Sequence, residues 1–451
     1  MNKLFGTDGI RGVANVYPMD PETVLKIAQA CAIVFKDKER SRVLIGRDTR
    51  ISGQMIESAL VAGLTSRGIN CIKVGVLPTP AIAYLTKSLG YRAGMVISAS
   101  HNPMADNGIK IIGQDGLKLL DELEEEIEEE IENKIRSDKV KKEVTGKEIG
   151  YAGEMKDAAG LYLKFLKSIT KLKDLNKLKI VIDCAHGATS EVAPLLFKEL
   201  GGEVFPINNS PNGTNINLNC GSQYPEIVSK EVLKHKADIG LSFDGDGDRL
   251  IAVDEKGKVV DGDFMMLMVA AYLKEKDRLR NNLLIITQMS NFGLEKALKE
   301  LNIDFIRTKV GDRYVLKEMI EKEALIGGEQ SGHIIFRDIS SAGDGIISAL
   351  KLIEIMLEKS KPLSQLTTLM TRFPQILVNV KVRERIEFSK IAEVERIIKE
   401  SEKRIADKGR ILVRYSGTEP LARVMVEGDS QEEITEIAKN ISAVIEKYIG
   451  V

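Results

Sequence analysis

Three separated motifs carry residue types that together suit phosphoryl transfer. Ser98-Ala99-Ser100-His101-Asn102-Pro103 offers hydroxyls just after Gly94–Ser98 enters as an apolar run that reads as a buried strand. Ligands gather at the carboxyl ends of strands in open α/β sheets, which makes Ser100 a candidate nucleophile. Serine needs activation before it attacks, and no remote Ser–His–Asp set can be read from the chain. His101 is its immediate neighbour and need not face the hydroxyl. Ser, Asn and Pro also form turns, so a plain turn stays open as the alternative.

Asp244-Gly245-Asp246-Gly247-Asp248-Arg249 follows the apolar segment Ile239–Phe243. Carboxylates at alternate positions, with glycines permitting tight turns, can converge on one hard cation. Without a cation they would repel one another. Asp244, Asp246, Asp248 and Glu255 also fit part of a calcium EF-hand, but Arg249 stands where its sharp turn requires Gly. Three ligands with open positions suit Mg²⁺, which takes a phosphate oxygen to complete its shell. An unliganded acidic turn is the plainer alternative.

Arg414-Tyr415-Ser416-Gly417-Thr418-Glu419-Pro420 has the makings of an anion cradle. Arg414 can grip phosphate with two donors, Ser416 and Thr418 add hydroxyls, Gly417 loosens the backbone, and Arg423 lies close by in sequence. An ordinary hairpin turn is the alternative. In Gly327-Gly328-Glu329-Gln330-Ser331-Gly332-His333, Glu329 and Ser331 can hydrogen-bond sugar hydroxyls and His333 can shuttle a proton. Arg11 sits in the Gly-rich stretch Gly6–Gly12, and Lys309–Tyr314 closes a strand end; neither fits a dinucleotide or Walker pattern.

The elements that must hold these motifs repeat. Strand–helix–strand units are expected at Val43–Gly46, Met55–Ser66 and Cys71–Val74; at Lys179–Asp183, Glu191–Leu200 and Val204–Ile207; and at Leu283–Thr287, Gly293–Leu301 and Asp304–Thr308. Units of this length imply parallel pairing with right-handed crossovers. After about residue 370 the pattern changes. Strands at Ile376–Val382, Arg410–Tyr415 and Ala422–Glu427 alternate with helices at Ile391–Lys403 and Glu432–Tyr448, an α+β domain with a mostly antiparallel sheet. Asp121–Lys142 is a charge run in which Leu123, Ile127, Ile131 and Ile135 mark one buried stripe of an amphipathic helix.

The expected fold is therefore α/β: three related α/β domains with mixed sheets plus a C-terminal α+β domain. The boundaries are drawn at 1–155 (serine loop), 156–253 (acidic loop), 254–369 (Glu329 loop) and 370–451 (Arg414 loop). A chain of 451 residues is too long for one ordinary core. Its formal charge of -1 gives no global basic field for nucleic acid or acidic membranes. The scattered Cys31, Cys71, Cys184 and Cys220 read as buried free thiols. The lack of a signal-peptide pattern and of any long apolar run makes the cytoplasm the expected compartment.

In order and content, these motifs resemble the α-D-phosphohexomutase family over essentially the whole chain. SASHNP resembles its phosphoserine loop, with Ser100 at the phosphorylated position. DGDGDR resembles its Mg²⁺ loop, GEQSGH its sugar-specificity loop and RYSGTEP its phosphate-binding loop. The opening Phe5–Gly12, together with Gln330 and Gly417, is similar to the members that act on glucosamine phosphates, whereas members acting on mannose and glucose phosphates usually carry Met and Asn at the last two positions. Gly311-Asp312-Arg313 departs from a Gly-His-Ser type motif in those relatives, which leaves open whether Arg313 or Lys309 takes over near the sugar.

The resemblance implies four domains around a central cleft and exchange of phosphate between O6 and O1 of glucosamine, supplying amino-sugar nucleotide (UDP-N-acetylglucosamine) synthesis. A broad hexose-phosphate specificity is the alternative. It implies one Mg²⁺ per subunit on Asp244, Asp246, Asp248 and the Ser100 phosphate, and a hexosamine 1,6-bisphosphate intermediate. Arg11, Arg249 and Lys110 would stabilise the transferring group, with Lys110, His101 and His333 as proton carriers. Glu329, Ser331, Lys309 and Arg313 would meet the sugar, and Arg414, Ser416, Gly417, Thr418 and Arg423 the second phosphate. The expected partner is a small sugar phosphate, not nucleic acid or a membrane, and a homodimer is the expected assembly.

Overall fold

The computed structural model describes residues 4–6, 8–36, 41–136, 144–416 and 420–451, with only the backbone described for 133–136. It divides into two compact units, Met1–Met289 with Ile303–Thr368, and Ser290–Asn302 with Leu369–Val451.

The first unit holds three mixed sheets. The six-stranded sheet runs in the order Ile10–Val13, Asp106–Gly113, Ala93–Ile97, Arg42–Arg47, Asn70–Val76, Ala152–Glu154. Arg42–Arg47 pairs parallel to both Asn70–Val76 and Ala93–Ile97, while Asp106–Gly113 turns antiparallel. In the five-stranded sheet Lys179–Asp183 pairs parallel to Glu203–Ile207 and Ile239–Phe243, and Leu250–Asp254 returns antiparallel. In the four-stranded sheet Leu283–Thr287 pairs parallel to Asp304–Thr308 and Ile326–Gly328, and Ile334–Phe336 closes antiparallel. All three expected strand–helix–strand units thus form parallel pairs. In each sheet an antiparallel strand carries the chain straight back from a strand that ends at a functional loop.

Unbroken burial, without alternation, marks the central strands. Ala93–Ile97 and Ile239–Phe243 are buried at every position, as expected for strands covered on both faces. The acidic run forms the helix Asp121–Arg136, with Ile127 and Ile131 buried in the core of the first sheet. The four cysteines are buried and free. Among the described residues no helix is long and apolar enough to cross a membrane.

The second unit contains a three-stranded antiparallel sheet, Gln375–Lys381, Leu421–Gly428, Gly409–Tyr415, with the helices Ala392–Ile405 and Gln431–Ile449. It also claims the helix Phe292–Glu300 of the third repeat, although that repeat's strands lie in the first unit. Asn291 explains the attachment. Its Nδ2 donates to Phe373 O and Glu427 Oε1, both at 3.0 Å, and Arg410 closes on the same buried Glu427 at 2.6 Å. Buried polar groups this well paired fix a segment firmly.

Candidate active site

Ser100 sits beyond the end of the buried strand Ala93–Ile97, in a left-handed conformation with φ of 52°. Such a backbone is costly for a residue with a Cβ and persists only where its surroundings enforce it. The enforcement is visible. Ser98 Oγ accepts from Ser100 N at 2.9 Å and itself donates to Asp48 Oδ2 at 2.6 Å. Arg50, fully buried, pairs with Asp48 at 2.9 Å and donates to the carbonyls of Ser100 (3.1 Å), Asn102 (2.7 Å) and Asp106 (2.9 Å) and to Pro103 O. Asn217 Nδ2 donates to Ser100 O at 2.8 Å and Asn102 O at 3.0 Å.

The acidic loop meets this serine. Ser100 Oγ donates to Asp244 Oδ2 at 2.6 Å, and His101 Nδ1 lies 3.2 Å from Ser100 Oγ, so the imidazole does face the hydroxyl. Close approach needs the glycines: a Cβ on Gly245 would lie 2.6 Å from Ser100 O, and Gly247 adopts φ +73°. Asp244, Asp246 and Asp248 each present an oxygen within 4.8 Å of the others. Thr79 Oγ1 donates to Asp246 Oδ2 at 2.6 Å, and Lys110 Nζ reaches the same oxygen at 2.8 Å and Asp248 Oδ2 at 3.3 Å.

The outward oxygens of the triad fit a cation. Asp246 Oδ1 is buried without a hydrogen-bond partner, and Asp248 Oδ1 has only long contacts, 3.7 Å to His333 Nδ1 and 3.9 Å to Arg249 Nε. Burial, then repulsion from Asp248 and Asp246, holds the Asp244 carboxyl well above the usual carboxylate range. Converging acids with orphaned oxygens are a site that a divalent cation would relieve. Hard oxygen donors of this kind suit Mg²⁺.

Beside the triad lies a cavity of about 420 Å³, lined in part by Asp8, Arg11, Asp248, Arg249, Asp312, Glu329 and His333. Asp8 is its hub: it pairs with Arg11 and Lys118 and lies 3.4 Å from Lys110. Burial opposes its ionisation, but Lys110, Lys118 and Arg11 outweigh that and hold the carboxyl far below its ordinary value. Burial likewise works against the Lys110 ammonium, yet Asp246, Asp8 and Asp248 keep it well above the ordinary lysine value. For His333 burial is again overcome, here by Asp248, Asp312 and Glu329, which push it up to about 9. His101 goes the other way, down to about 4, through burial and the nearby Arg249 and Arg11. Glu329 Oε1 accepts from Gly311 N at 2.9 Å, and Ser331 Oγ lies 3.5 Å from Oε2.

The structure brings Ser100, His101, the three aspartates, Lys110, Arg11, Arg249, Glu329 and His333 together. It does not bring Arg313 or Lys309 to the cavity wall. The Arg313 guanidinium turns to the acidic helix, pairing with Glu124 at 2.6 Å and with Asp121. Lys309 is exposed, its ammonium 5.9 Å from the Tyr314 ring centroid. The member of Gly311-Asp312-Arg313 that reaches the cavity is Asp312, which pairs with Lys118 at 2.6 Å and faces His333 Nε2 at 3.6 Å. The sequence reading missed Asp312, Asp8, Lys118, Asp48, Arg50, Thr79 and Asn217. Asp8 and Asp312 lay inside motifs singled out for their arginines; the others carried no local signal.

In the second unit, Arg414 and Arg423 stand directly opposite on paired strands. Burial and the facing Arg423 lower the Arg414 pKa. Like charges in direct cross-strand register are destabilising unless an anion joins them. Ser416 is buried, its amide donating to Leu421 O at 2.8 Å. Gly417 and Thr418 lie outside the described residues.

Comparison with known proteins places this geometry. Four models match in chain order: phosphoglucomutase/phosphomannomutase alpha/beta/alpha domain I over residues 2–138, domain II over 161–257, domain III over 261–373, and the C-terminal domain over 377–444. The chain belongs to the phosphoglucomutase/phosphomannomutase family. It is therefore an isomerase of the phosphotransfer type, and the family implies Mg²⁺ and a phosphoserine. Among curated relatives, phosphoglucosamine mutase of Syntrophus aciditrophicus is 52% identical, covering 100% of both chains. That of Carboxydothermus hydrogenoformans is 50% identical, covering 99% of this chain and 100% of the relative. A phosphoglucomutase/phosphomannomutase family protein from Burkholderia thailandensis shares the fold with a TM-score of 0.82 at 23% identity, covering 99% of this chain and 97% of its own. The N-acetylphosphoglucosamine mutase of Aspergillus fumigatus, solved with GlcNAc-6P and magnesium, gives 0.65 at 17% identity, covering 98% and 95%.

Proposed function

We propose that this member of the family interconverts glucosamine 6-phosphate and glucosamine 1-phosphate, feeding amino-sugar nucleotide synthesis. The observation that carries the chemistry is the Ser100 hydroxyl hydrogen-bonded to Asp244 inside a triad of buried carboxylates. Relatives at about half identity over the full length supply the sugar.

In this reading Ser100 starts as a phosphoserine. The sugar O1 hydroxyl attacks its phosphorus, the P–Oγ bond breaks, and the O1 proton passes to the protein as Ser100 Oγ regains one. The resulting 1,6-bisphosphate turns about, and Ser100 Oγ attacks the phosphate on O6, restoring the phosphoserine and returning a proton to O6. Mg²⁺, when held by Asp244, Asp246 and Asp248, supplies neutralising charge to the transferring phosphoryl group. Arg50 and Asn217 keep the serine loop in its strained shape, so Oγ is presented without further reorganisation. Arg11, Arg249 and Lys110 place positive charge around the transferring oxygens, and His101 and His333 stand as proton carriers. Glu329 orients ring hydroxyls, with Ser331 beside it. Arg414, Arg423, Ser416, Gly417 and Thr418 bind the phosphate that is not reacting. A cytoplasmic setting and a homodimer belong to the same proposal.

The test is a panel of glucosamine, N-acetylglucosamine, glucose and mannose 1-phosphates, with inorganic phosphate measured alongside. The highest kcat/KM is expected for glucosamine 1-phosphate, with little phosphate released. A preference for mannose or glucose phosphate would overturn the sugar assignment, and stoichiometric phosphate release would make the chain a phosphatase.

A further inference from the structure

The hydroxyls of glucosamine and glucose phosphates are alike except at C2, where one sugar carries an ammonium group and the other a hydroxyl. A site that separates them needs an anion facing the sugar whose charge is not outweighed by the cations around it. Four carboxylates line the cavity beside the triad: Asp8, Asp248, Asp312 and Glu329. Asp248 belongs to the metal triad. Asp8 is surrounded by Arg11, Lys110 and Lys118, three cations for one charge. Glu329 is oriented by the Gly311 amide and lies beside the Ser331 hydroxyl, a setting for reading hydroxyls.

Asp312 is different. Its side chain keeps 20% exposure, against 8% for Asp248 and 27% for Asp8, and the two cations it meets are both shared: Lys118, at 2.6 Å, with Asp8, and His333, at 3.6 Å, with Asp248. It is also the residue after Gly311, whose amide holds Glu329 at 2.9 Å. The turn that presents Asp312 thus also holds Glu329, and both carboxylates line the one cavity. Asp312 begins the helix Asp312–Glu321, and Arg313 clamps that helix start to Glu124, so the carboxylate stands on a braced element.

We propose that Asp312 is the specificity residue for the amino sugar, its carboxylate pairing with the ammonium at C2. This rests on the glucosamine reading above and deepens it. A charge-assisted contact of this kind is worth roughly ten- to a hundredfold in selectivity.

The experiment measures kcat/KM for glucosamine 1-phosphate and glucose 1-phosphate in wild type, Asp312→Asn and Lys118→Met. Asp312→Asn is expected to lower the glucosamine-to-glucose ratio roughly ten- to a hundredfold. Lys118→Met removes the competing cation and leaves the ratio at or above the wild-type value, whatever it costs in rate. Calorimetry in a Ser100→Ala background gives a second readout: Asp312→Asn weakens binding of glucosamine 6-phosphate and spares glucose 6-phosphate. Where Asp312→Asn does not fold, Asp312→Glu carries the test, since it keeps the charge but displaces it and still lowers the ratio. An equal fall for both sugars would mean that Asp312 acts only by positioning Lys118 and His333, and would overturn the proposal. A ratio lost in Glu329→Gln but kept in Asp312→Asn would move the role to Glu329. A wild-type enzyme inactive on glucosamine phosphates overturns the underlying reading itself, before any variant is compared.

Discussion

Ser100 Oγ and Asp244 Oδ2 lie 2.6 Å apart across 144 positions of sequence. The bond joins the loop after one sheet's central strand to the loop after another's. A nucleophile and a metal ligand on separate sheets hold register only if both loops are rigid, and each is: the first by Arg50 and Asn217, the second by Thr79, Lys110 and the glycine approach at Gly245.

Arg50 is expected to matter for stability and rate together. Arg50→Met leaves Asp48 buried without its cation and takes the guanidinium from four loop carbonyls, two of which keep only Asn217 as a side-chain donor. Breaking a buried pair from one side costs about 3–5 kcal/mol, which urea denaturation will read. The displaced serine should lower kcat on the order of a hundredfold. A variant of wild-type stability and rate would show that the guanidinium is not what shapes the loop.

Asp246→Asn removes one charge facing the cation while the amide can still accept from Thr79. The Mg²⁺ concentration for half activation should rise by at least the roughly 10–100-fold that loss of an outer partner costs. The unfolding midpoint should change little. An unaltered Mg²⁺ activation curve would exclude this aspartate as a ligand, and chelator treatment of the wild type should abolish turnover reversibly.

Asp344 offers a pH test at a helix cap beside the acidic loop. Its side chain caps the helix Gly345–Lys359 through Ile346 N (2.8 Å) and Ile347 N (3.0 Å) and accepts from Tyr162 OH at 2.6 Å. Burial raises its pKa from 3.8 to about 6, against the pull of those hydrogen bonds. The folded state therefore binds the proton more tightly than the unfolded chain. That contribution is full below the unfolded value and is lost as pH rises through about 6. Relative to Asp344→Asn, wild type should lose on the order of 3 kcal/mol between about pH 4 and pH 7. Denaturation curves whose difference does not change with pH would contradict this.

How much of this could be read beforehand depends on whether a residue's role was local. The strand–helix–strand units were legible because apolar periodicity reports burial, and Asp244, Asp246 and Asp248 because Gly-Asp alternation has few other uses. Arg50, Asn217 and Lys118 act through partners about 50 to 200 positions away, and no spacing announces such contacts. Whether Arg313 or Lys309 stands in near the sugar was left open by the motif, because the partner of the Arg313 guanidinium, Glu124 on the acidic helix, lies 189 positions away. The helix Phe292–Glu300 was placed correctly along the chain, yet its allegiance to the second unit comes from contacts no periodicity announces, Asn291 with Glu427 and Phe292 with Phe373.

Arg414 and Arg423 face each other across a strand pair, so an anion between them gains two charge partners. Arg414→Ala should raise KM for both glucosamine phosphates roughly ten- to a hundredfold, the range of one charge-assisted contact worth about 1.5–3 kcal/mol. It should also increase the need for added hexose 1,6-bisphosphate, because the intermediate escapes. Unchanged KM values for both sugars would refute the cradle.

The most direct test of the central claim is phosphate mapping on Ser100 during turnover. Purified protein charged with glucosamine 1,6-bisphosphate should gain one phosphate by intact mass, and peptide mapping should place it on Ser100. Adding glucosamine 6-phosphate should discharge it, with bisphosphate appearing in step, and Ser100→Ala should show neither event. Phosphate found on Ser98 instead, or a Ser100 phosphate that persists when the sugar is added, would contradict the account.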